Sequence, residues 1–208
     1  MSTSTPTTRA DSRVDKFGRR QRELARSALA TLAERGYANT SMRDIASNTD
    51  FTHGVLHYYF ADKNELIIFG VREYKTECIT RYDAAIDGSE SVEDLAERFA
   101  TDMATSLTDE AAMHRLWYDM RAQSYFDDVF RPAVGEIEQG LEAMIWRMVT
   151  RHSEFTGRPP VLSPPVAYAI FDGLFQQALF RWFTGHQGSA DVLAAQVAGI
   201  IVAMTAKP

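Results

Sequence analysis

Two histidines, His53 and His57, have the spacing that can place two metal-binding imidazoles on one face of a helix. Zinc sites of that kind carry a glutamate directly after the first histidine, but this chain has Gly54 there. The other three histidines lie in distant segments, so a complete ligand set is not predicted. Because no phosphate loop, nucleophile elbow or dinucleotide motif occurs either, the sequence predicts no metal, no cofactor and no enzyme activity.

The two histidines belong to a stretch, residues 40–63, that has the pattern of two short helices joined by a turn. Thr40 or Ser41 can cap the first helix, because a hydroxyl there accepts a bond from an unpaired N–H group. Residues 48–50 interrupt the helical pattern with Asn and Asp, which tolerate a left-handed turn. Thr52 can cap the second helix, which turns small, polar and aromatic groups outward. This arrangement is typical of a helix-turn-helix that places its second helix in the major groove of DNA.

The distribution of charge favours the same interpretation. The chain of 208 residues has a net charge of −6, which by itself argues against nucleic acid as a partner. Residues 1–63, however, carry 10 Lys and Arg against 7 Asp and Glu, whereas residues 64–208 carry 12 against 21. A basic N-terminal part on an acidic body suits a local DNA-binding module, because only the contacting face must attract phosphates. Chance variation in composition is the alternative explanation.

The single cysteine, Cys78, excludes an internal disulfide and a multi-cysteine zinc site. Residues 1–16 are polar and rich in Ser and Thr, so they predict a flexible basic arm rather than a secretory signal. The most apolar C-terminal run, residues 192–204, is shorter than the roughly 20 residues that span a bilayer. We therefore expect a cytoplasmic protein with no membrane partner.

Helical periodicity predicts an all-α fold of about nine helices. A first helix is expected from about Phe17 to Arg35, where Gly36 can end it with a positive φ. Asp62 can cap a fourth helix that links the N-terminal module to the rest of the chain. Further helix starts are predicted at Ser91, Thr108, Pro132, Ser163 and Ser189. The expected organisation is an arm at 1–16, a helix-turn-helix domain at 17–74 with its last helix continuing to about 87, and a helical domain at 88–208.

The last two predicted helices are apolar on several faces, so they must be covered on several faces. A second copy of the chain is the expected cover, in a two-fold four-helix interface; a central helix within a monomer is the alternative. The predicted interface residues are Phe171, Leu174, Phe175, Ala178, Leu179, Trp182, Leu193, Val197, Ile200, Ile201 and Met204.

The middle helices are rich in methionine and aromatic residues, which suits an adaptable apolar ligand pocket. Ordinary core packing explains the same methionines, and Arg121 and Gln176 can equally well lie at the surface. The predicted ligand-binding residues are Met103, Trp117, Met120, Arg121, Tyr125, Met144, Met148, Phe171, Phe175 and Gln176.

Residues 20–66 resemble the N-terminal region of the TetR family of transcriptional regulators. The matching residues are Arg35-Gly36-Tyr37, Thr40-Ser41-Met42-Arg43-Asp44-Ile45-Ala46, Thr52-x-Gly54-x-Leu56, Tyr59-Phe60 and Asp62-Lys63-x-Glu65-Leu66. The resemblance covers about a quarter of the chain. This sequence differs from the usual family pattern in the turn, where Asp50 replaces a glycine and Phe51 replaces a valine.

The resemblance implies a homodimeric repressor that binds a palindromic DNA operator and releases it when a small, largely apolar effector binds the C-terminal domain. An activator of the same fold is an alternative, and a helical binding protein or enzyme that retains the module is a further one. The resemblance places Arg43 at a base edge or phosphate, His57 where the family often has a phosphate-binding tyrosine, and Lys63 at the DNA backbone. The predicted DNA-binding residues are Thr40, Ser41, Arg43, Thr52, His53, Gly54, Val55, His57, Tyr58, Tyr59 and Lys63.

Overall fold

The computed structural model describes residues 9–37 and 39–204, with side chains from Lys16 onward. This part of the chain forms nine α-helices and no β-strand, which confirms the predicted all-α fold. The helices are α1 (Arg9–Arg35), α2 (Met42–Ser47), α3 (His53–Tyr59), α4 (Lys63–Asp87), α5 (Val92–Asp109), α6 (Ala111–Gln123), α7 (Arg131–Thr156), α8 (Pro164–Phe183) and α9 (Ser189–Ala203). None of them combines the length and the apolarity that crossing a membrane requires.

The chain divides into two compact units, an N-terminal unit (Met1–Glu73) and a C-terminal unit (Tyr74–Pro208). Helix α4 begins in the first and ends in the second.

The N-terminal unit is built on one apolar stripe of α1. Leu24, Ala28 and Leu32 follow one another at intervals of four, and all three are fully buried. Helix α1 packs on α2, and α2 packs on α3. Gly36 ends α1 with a φ of +82°, as predicted, a backbone conformation that favours glycine.

Helix α1 is longer than the sequence pattern indicated. It begins at Arg9 rather than near Phe17, so the second half of the predicted arm is helical. Residues 9–16 contain neither Gly nor Pro, and nothing in their composition stops a helix from extending beyond its packed part. The first half of the predicted arm, residues 1–8, lies outside the described residues.

The C-terminal unit is organised around α5, which packs on α6, α7, α8 and α9. Its stripe of Leu95, Phe99, Met103 and Leu107 is 5% exposed or less. Ser91 begins the helix as predicted, and its hydroxyl accepts a hydrogen bond from the Asp94 N–H group.

Two predicted helix caps in this unit are wrong. Helix α5 continues through Thr108, whose hydroxyl donates to the Thr105 carbonyl instead of starting α6. Ser189 is the first residue of α9 rather than its cap, and its hydroxyl donates back to the carbonyl of His186. The cap is Gly188, with a φ of +72°. Ser and Thr hydroxyls also bond to carbonyls of the preceding turn, so their presence alone does not fix a helix start.

The predicted dimer face also needs correction. Three of the predicted interface residues are at least partly exposed, namely Leu174, Trp182 and Ile200. The other predicted interface residues are buried within the protomer. The buried members are Phe171, Phe175, Ala178, Leu179, Leu193, Val197, Ile201 and Met204. Helices α8 and α9 turn this face toward α5 and α7, so a different face of the same two helices carries their exposed apolar groups.

Candidate functional site

Side-chain caps fix both helices of the helix-turn-helix. The Ser41 hydroxyl accepts a bond from the Asp44 N–H group, and the Asp44 carboxylate accepts one from the Ser41 N–H group. These bonds from Ser41 lower the pKa of Asp44. The Thr52 hydroxyl caps α3 by accepting from the Val55 N–H group.

The turn between α2 and α3 does not use a left-handed residue, contrary to the sequence expectation. Asn48 has a φ of −110°, and its N–H group bonds to the carbonyls at the end of α2. Across the described residues, positive φ values occur only at glycines. Asp50 therefore replaces a turn glycine without strain.

The outward face of this helix pair carries seven of the predicted DNA-binding residues. Ser41, Arg43, Thr52, His53, Gly54, His57 and Tyr58 are all exposed. The Arg43 guanidinium makes no hydrogen bond or ion pair with any described residue, and its neighbour Asp44 is already bonded to Ser41. A cation, two imidazoles and hydroxyls on one exposed surface provide the groups that bind phosphate oxygens and base edges.

His53 and His57 lie close together on this face, with their Nε2 atoms 3.2 Å apart. Within the described residues, no group of three His, Cys, Asp or Glu side chains could hold a metal ion. Both imidazoles are exposed on the outward face of α3.

Three predicted contacts are less accessible. Thr40 is only 3% exposed, because its hydroxyl donates to the Gly36 carbonyl at the end of α1. Its side chain cannot reach DNA from that position, and the prediction for Thr40 is wrong in this respect. Val55 and Tyr59 are half-buried.

Lys63 has a structural role that the sequence did not reveal. Its ammonium group donates to the carbonyls of Tyr37 and Thr40, at 2.9 Å each, and lies 4.0 Å from the centre of the Tyr37 ring. These bonds hold the start of α4 against the connection between α1 and α2. A contact of Lys63 with the DNA backbone stays a prediction.

Aromatic contacts from α1 support the seven-residue helix α3, which is too short to be stable alone. The Phe17 ring lies 4.6 Å from that of Tyr59 and 6.1 Å from that of Tyr58, centre to centre. Gln21 donates to the Tyr59 carbonyl at 3.4 Å. Helix α1 therefore fixes the C-terminal end of the candidate recognition helix.

The C-terminal unit contains a cavity of about 60 Å³. Five of the ten predicted ligand-binding residues line it, namely Met103, Trp117, Met144, Phe171 and Phe175. The remaining lining residues are Lys75, Cys78, Tyr82, Phe99, His114, Tyr118, Leu141, Ile145, Tyr168 and Asp172.

The other five predicted ligand-binding residues lie elsewhere. Met120 and Met148 belong to the packed core, whereas Tyr125 is 72% exposed and Gln176 is at the surface. Arg121 forms ion pairs instead. Its guanidinium lies 2.7 Å from the carboxylate of Asp172 and 3.0 Å from that of Glu138.

A buried lysine is the main polar feature of the cavity. Lys75 on α4 is 4% exposed, and its ammonium nitrogen lies 3.2 Å from Nδ1 of His114. Nε2 of His114 lies 2.8 Å from the Ser106 hydroxyl and 3.0 Å from that of Tyr74. His114 thus accepts from Lys75 on one side and bonds to hydroxyls on the other, which fixes its neutral form.

Burial controls the protonation of both groups. It lowers the pKa of Lys75 to about 8, although Cys78 and the carboxylate of Asp172 partly oppose that shift. The pKa of His114 lies well below its usual value, chiefly because the ring is buried and secondly because Lys75 is positively charged. No carboxylate among the described residues lies within ion-pair distance of Lys75. Sequence reasoning missed both residues.

Comparison with known proteins agrees with the geometry of the N-terminal unit. The family model of the bacterial regulatory proteins of the tetR family matches residues 24–68. That range begins within α1, contains α2 and α3, and ends in the first turns of α4.

A sequence relative is the HTH-type transcriptional repressor KstR2 of Mycobacterium tuberculosis, which is 26% identical over 54% of this chain and 70% of its own length. The crystal structure of FadR from Bacillus subtilis with stearoyl-CoA superposes with a TM-score of 0.71, at 17% identity, over 88% of this chain and 98% of that one. The structure of a regulator from Saccharomonospora viridis in complex with choline superposes with a TM-score of 0.67, at 18% identity, over 92% of this chain and 100% of that one. The helix-turn-helix geometry and the family match together identify residues 24–68 as a DNA-binding region of the tetR family of bacterial regulatory proteins, and the similar structures share the fold of the chain.

Proposed function

We propose that this regulator is a ligand-responsive repressor, which binds a palindromic operator as a homodimer and releases it when a small, largely apolar effector binds. The observation that carries the proposal is the exposed face of α2 and α3, with Arg43, His53 and His57, within the segment that matches the family. Repression is the activity of the relative KstR2.

A homodimer is supported by the outer faces of α8 and α9. Val166, Phe180, Val192 and Val202 are between 45% and 67% exposed, which is unusual for a group of large apolar side chains on neighbouring helices. Gly173 and Gly199 lie within these helices, where glycine costs about 1 kcal/mol relative to alanine. Packing within the protomer does not explain them, because a Cβ atom at either position would contact nothing within 4 Å. A second copy of the chain that approaches closely at these glycines accounts for both features.

An effector site in the C-terminal unit is supported by the cavity between α4, α5, α6, α7 and α8. Related folds bind chemically different molecules, since one neighbour contains stearoyl-CoA and another choline. The cavity of about 60 Å³ is smaller than an effector needs, so its walls must move. Met103 and Met144 line it, and methionine changes conformation easily. Lys75 and Lys63 lie on the same helix, so an effector that displaces α4 at the cavity can also alter the start of that helix.

DNA binding tests the proposal directly. Fluorescence anisotropy at low salt, with duplex DNA from the region upstream of the protein's own coding sequence, should show binding that weakens as salt increases. Arg43→Ala should reduce the affinity, whereas Arg147→Ala, which removes an exposed cation paired with Asp83 in the C-terminal unit, should not. Absence of binding by the wild-type protein would reject the regulator function.

An activator would share every residue discussed above, so a second measurement must separate the two activities. Transcription from a reporter that carries the bound DNA should fall when the protein is present and recover when the effector is added. Increased transcription would assign the protein as an activator.

A further inference from the structure

We propose that the effector carries a carboxylate group on an apolar body, and that the Lys75 ammonium binds this carboxylate inside the cavity. This inference rests on the proposed function, because it names the chemical class of effector for the same cavity.

The first argument is the unused hydrogen-bonding capacity of Lys75. An ammonium group has three N–H donors, and Lys75 uses one of them, toward His114. The rings of Trp117 and Tyr74 lie 5.4 and 5.5 Å from the nitrogen and stabilise its charge only partly. Burial of a cation without a paired anion is costly, so buried lysines usually have an acidic partner. In the part of the chain that the structure describes, Lys75 has none.

The second argument is that the acidic group of the cavity already has hydrogen-bond partners other than Lys75. Asp172 accepts from Arg121 at 2.7 Å and from the Tyr118 hydroxyl at 2.9 Å. Arg121 also pairs with Glu138. The carboxylate of Asp172 therefore directs its hydrogen bonds to Arg121 and Tyr118 rather than to Lys75.

A further donor lines the same cavity. The Tyr168 hydroxyl is buried and has no well-aligned hydrogen-bond partner among the described residues, although Glu138 is near enough to contribute to its raised pKa. A carboxylate has two oxygens and accepts several bonds, so it can use donors from both Lys75 and Tyr168.

The remaining walls select an apolar body. Phe99, Leu141, Ile145, Phe171 and Phe175 surround the polar end of the cavity with hydrocarbon. Such a pocket stabilises an apolar chain or ring by burial, while one buried charge orients the molecule.

The test compares acids with amides of the same shape. Isothermal titration at pH 7 with octanoate and octanamide, and with benzoate and benzamide, separates the charge from the apolar body. We expect each acid that binds to have an affinity at least about tenfold higher than that of its amide. In Lys75→Met this preference should disappear while amide binding is kept. Arg147→Met, which removes an exposed cation elsewhere in the same unit, should retain the preference.

Equal affinity for acid and amide in the wild-type protein would overturn the inference, and so would an acid preference that survives in Lys75→Met. Lack of binding by all four compounds up to their solubility limits would overturn it as well. The wild-type comparison requires no variant, so the test does not depend on how Lys75→Met folds.

Failure of the proposed function is distinguishable from failure of this inference. If the acids bind through Lys75 but leave DNA affinity unchanged, the carboxylate site stands and the effector response is rejected. If DNA binding responds equally to acids and amides, the response stands and the carboxylate site is rejected.

Discussion

The ammonium nitrogen of Lys75 lies 3.2 Å from Nδ1 of His114, and each of these side chains is only 4% exposed. Two groups that can both carry positive charge are thus held together in an apolar interior. Such an arrangement lowers stability, and proteins keep features of this kind chiefly at functional sites. The pair therefore supports the proposed effector site over ordinary core packing.

We expect Lys75→Met to stabilise the ligand-free protein at pH 7. A pKa of about 8 in place of 10.5 corresponds to a penalty of about 3 kcal/mol in the free energy of unfolding. Loss of the bond to His114 offsets about 1 kcal/mol of the gain, which leaves a net increase of about 1–2 kcal/mol. Urea unfolding followed by circular dichroism measures this difference. A large destabilisation would show that Lys75 mainly supports the fold.

The same shift predicts a pH dependence. Between about pH 8 and 10.5, Lys75 is protonated in the unfolded chain but has released its proton in the folded protein. The loss of stability caused by burying the charged Lys75 is therefore complete below about pH 8 and disappears as the pH rises toward 10.5. The stability difference between Lys75→Met and the wild-type protein should therefore shrink when unfolding is measured at pH 7, 8.5 and 10.

The groups around Lys75 do not obscure this window. His114 stays neutral because burial lowers its pKa, and burial raises the pKa of Cys78 and of Tyr74. The nearby carboxylates of Glu110, Asp172 and Glu138 make Lys75 easier to protonate. A stability difference that stays constant from pH 7 to 10 would contradict the assignment of the penalty to Lys75.

The sequence predicted those features that depend on local periodicity and capping. Helix-turn-helix caps at Ser41 and Thr52, and the end of α1 at Gly36, follow from bonds within a few residues. Lys75 carried a signal that was overlooked, because it continues the buried stripe of α4 between Val71 and Cys78. A lysine within an apolar stripe indicates a buried charge.

The features that the sequence did not predict depend on tertiary packing. The burial of Thr40 depends on the end of α1, and Lys63 turns toward the carbonyls of Tyr37 and Thr40 rather than outward. The inner and outer faces of α8 and α9 are equally apolar in sequence. Only their packing on α5 and α7 shows that Leu193 and Val197 face inward and Val192 and Val202 outward.

We expect Ser41→Ala to destabilise the N-terminal unit by about 1 kcal/mol, since it removes a reciprocal cap from the six-residue helix α2. The same change should raise the pKa of Asp44, because the Ser41 hydroxyl also donates to the Asp44 carboxylate and that bond is lost. Ser47→Ala is the matched control, since the Ser47 hydroxyl bonds only to the Arg43 carbonyl within the helix. Hydrogen exchange of α2 and α3 amides should increase in the first variant and not in the second.

Arg43→Ala and Lys63→Ala should weaken DNA binding in different ways. Arg43 is exposed and unpaired in the described structure, so its loss should cost about 1–3 kcal/mol on the operator and much less on unrelated DNA, without loss of stability. Lys63→Ala leaves two carbonyls without their donor, so it should lower stability and weaken binding to all sequences alike. Unchanged operator affinity in Arg43→Ala would remove that residue from the recognition surface.

The glycines of α8 and α9 give the most direct test of the homodimer. Gly199→Leu adds a side chain to open space in the protomer, so the isolated chain should fold and gain about 1 kcal/mol of helix propensity. In a dimer that brings these helices close together, the leucine prevents the approach. Gly135→Leu is the matched control, because Gly135 lies inside α7 and also has nothing within 4 Å of an added Cβ atom. Sedimentation at micromolar concentration should show a monomer for Gly199→Leu and a dimer for Gly135→Leu, and operator affinity should fall only in the former. A dimer in both variants would place the interface elsewhere.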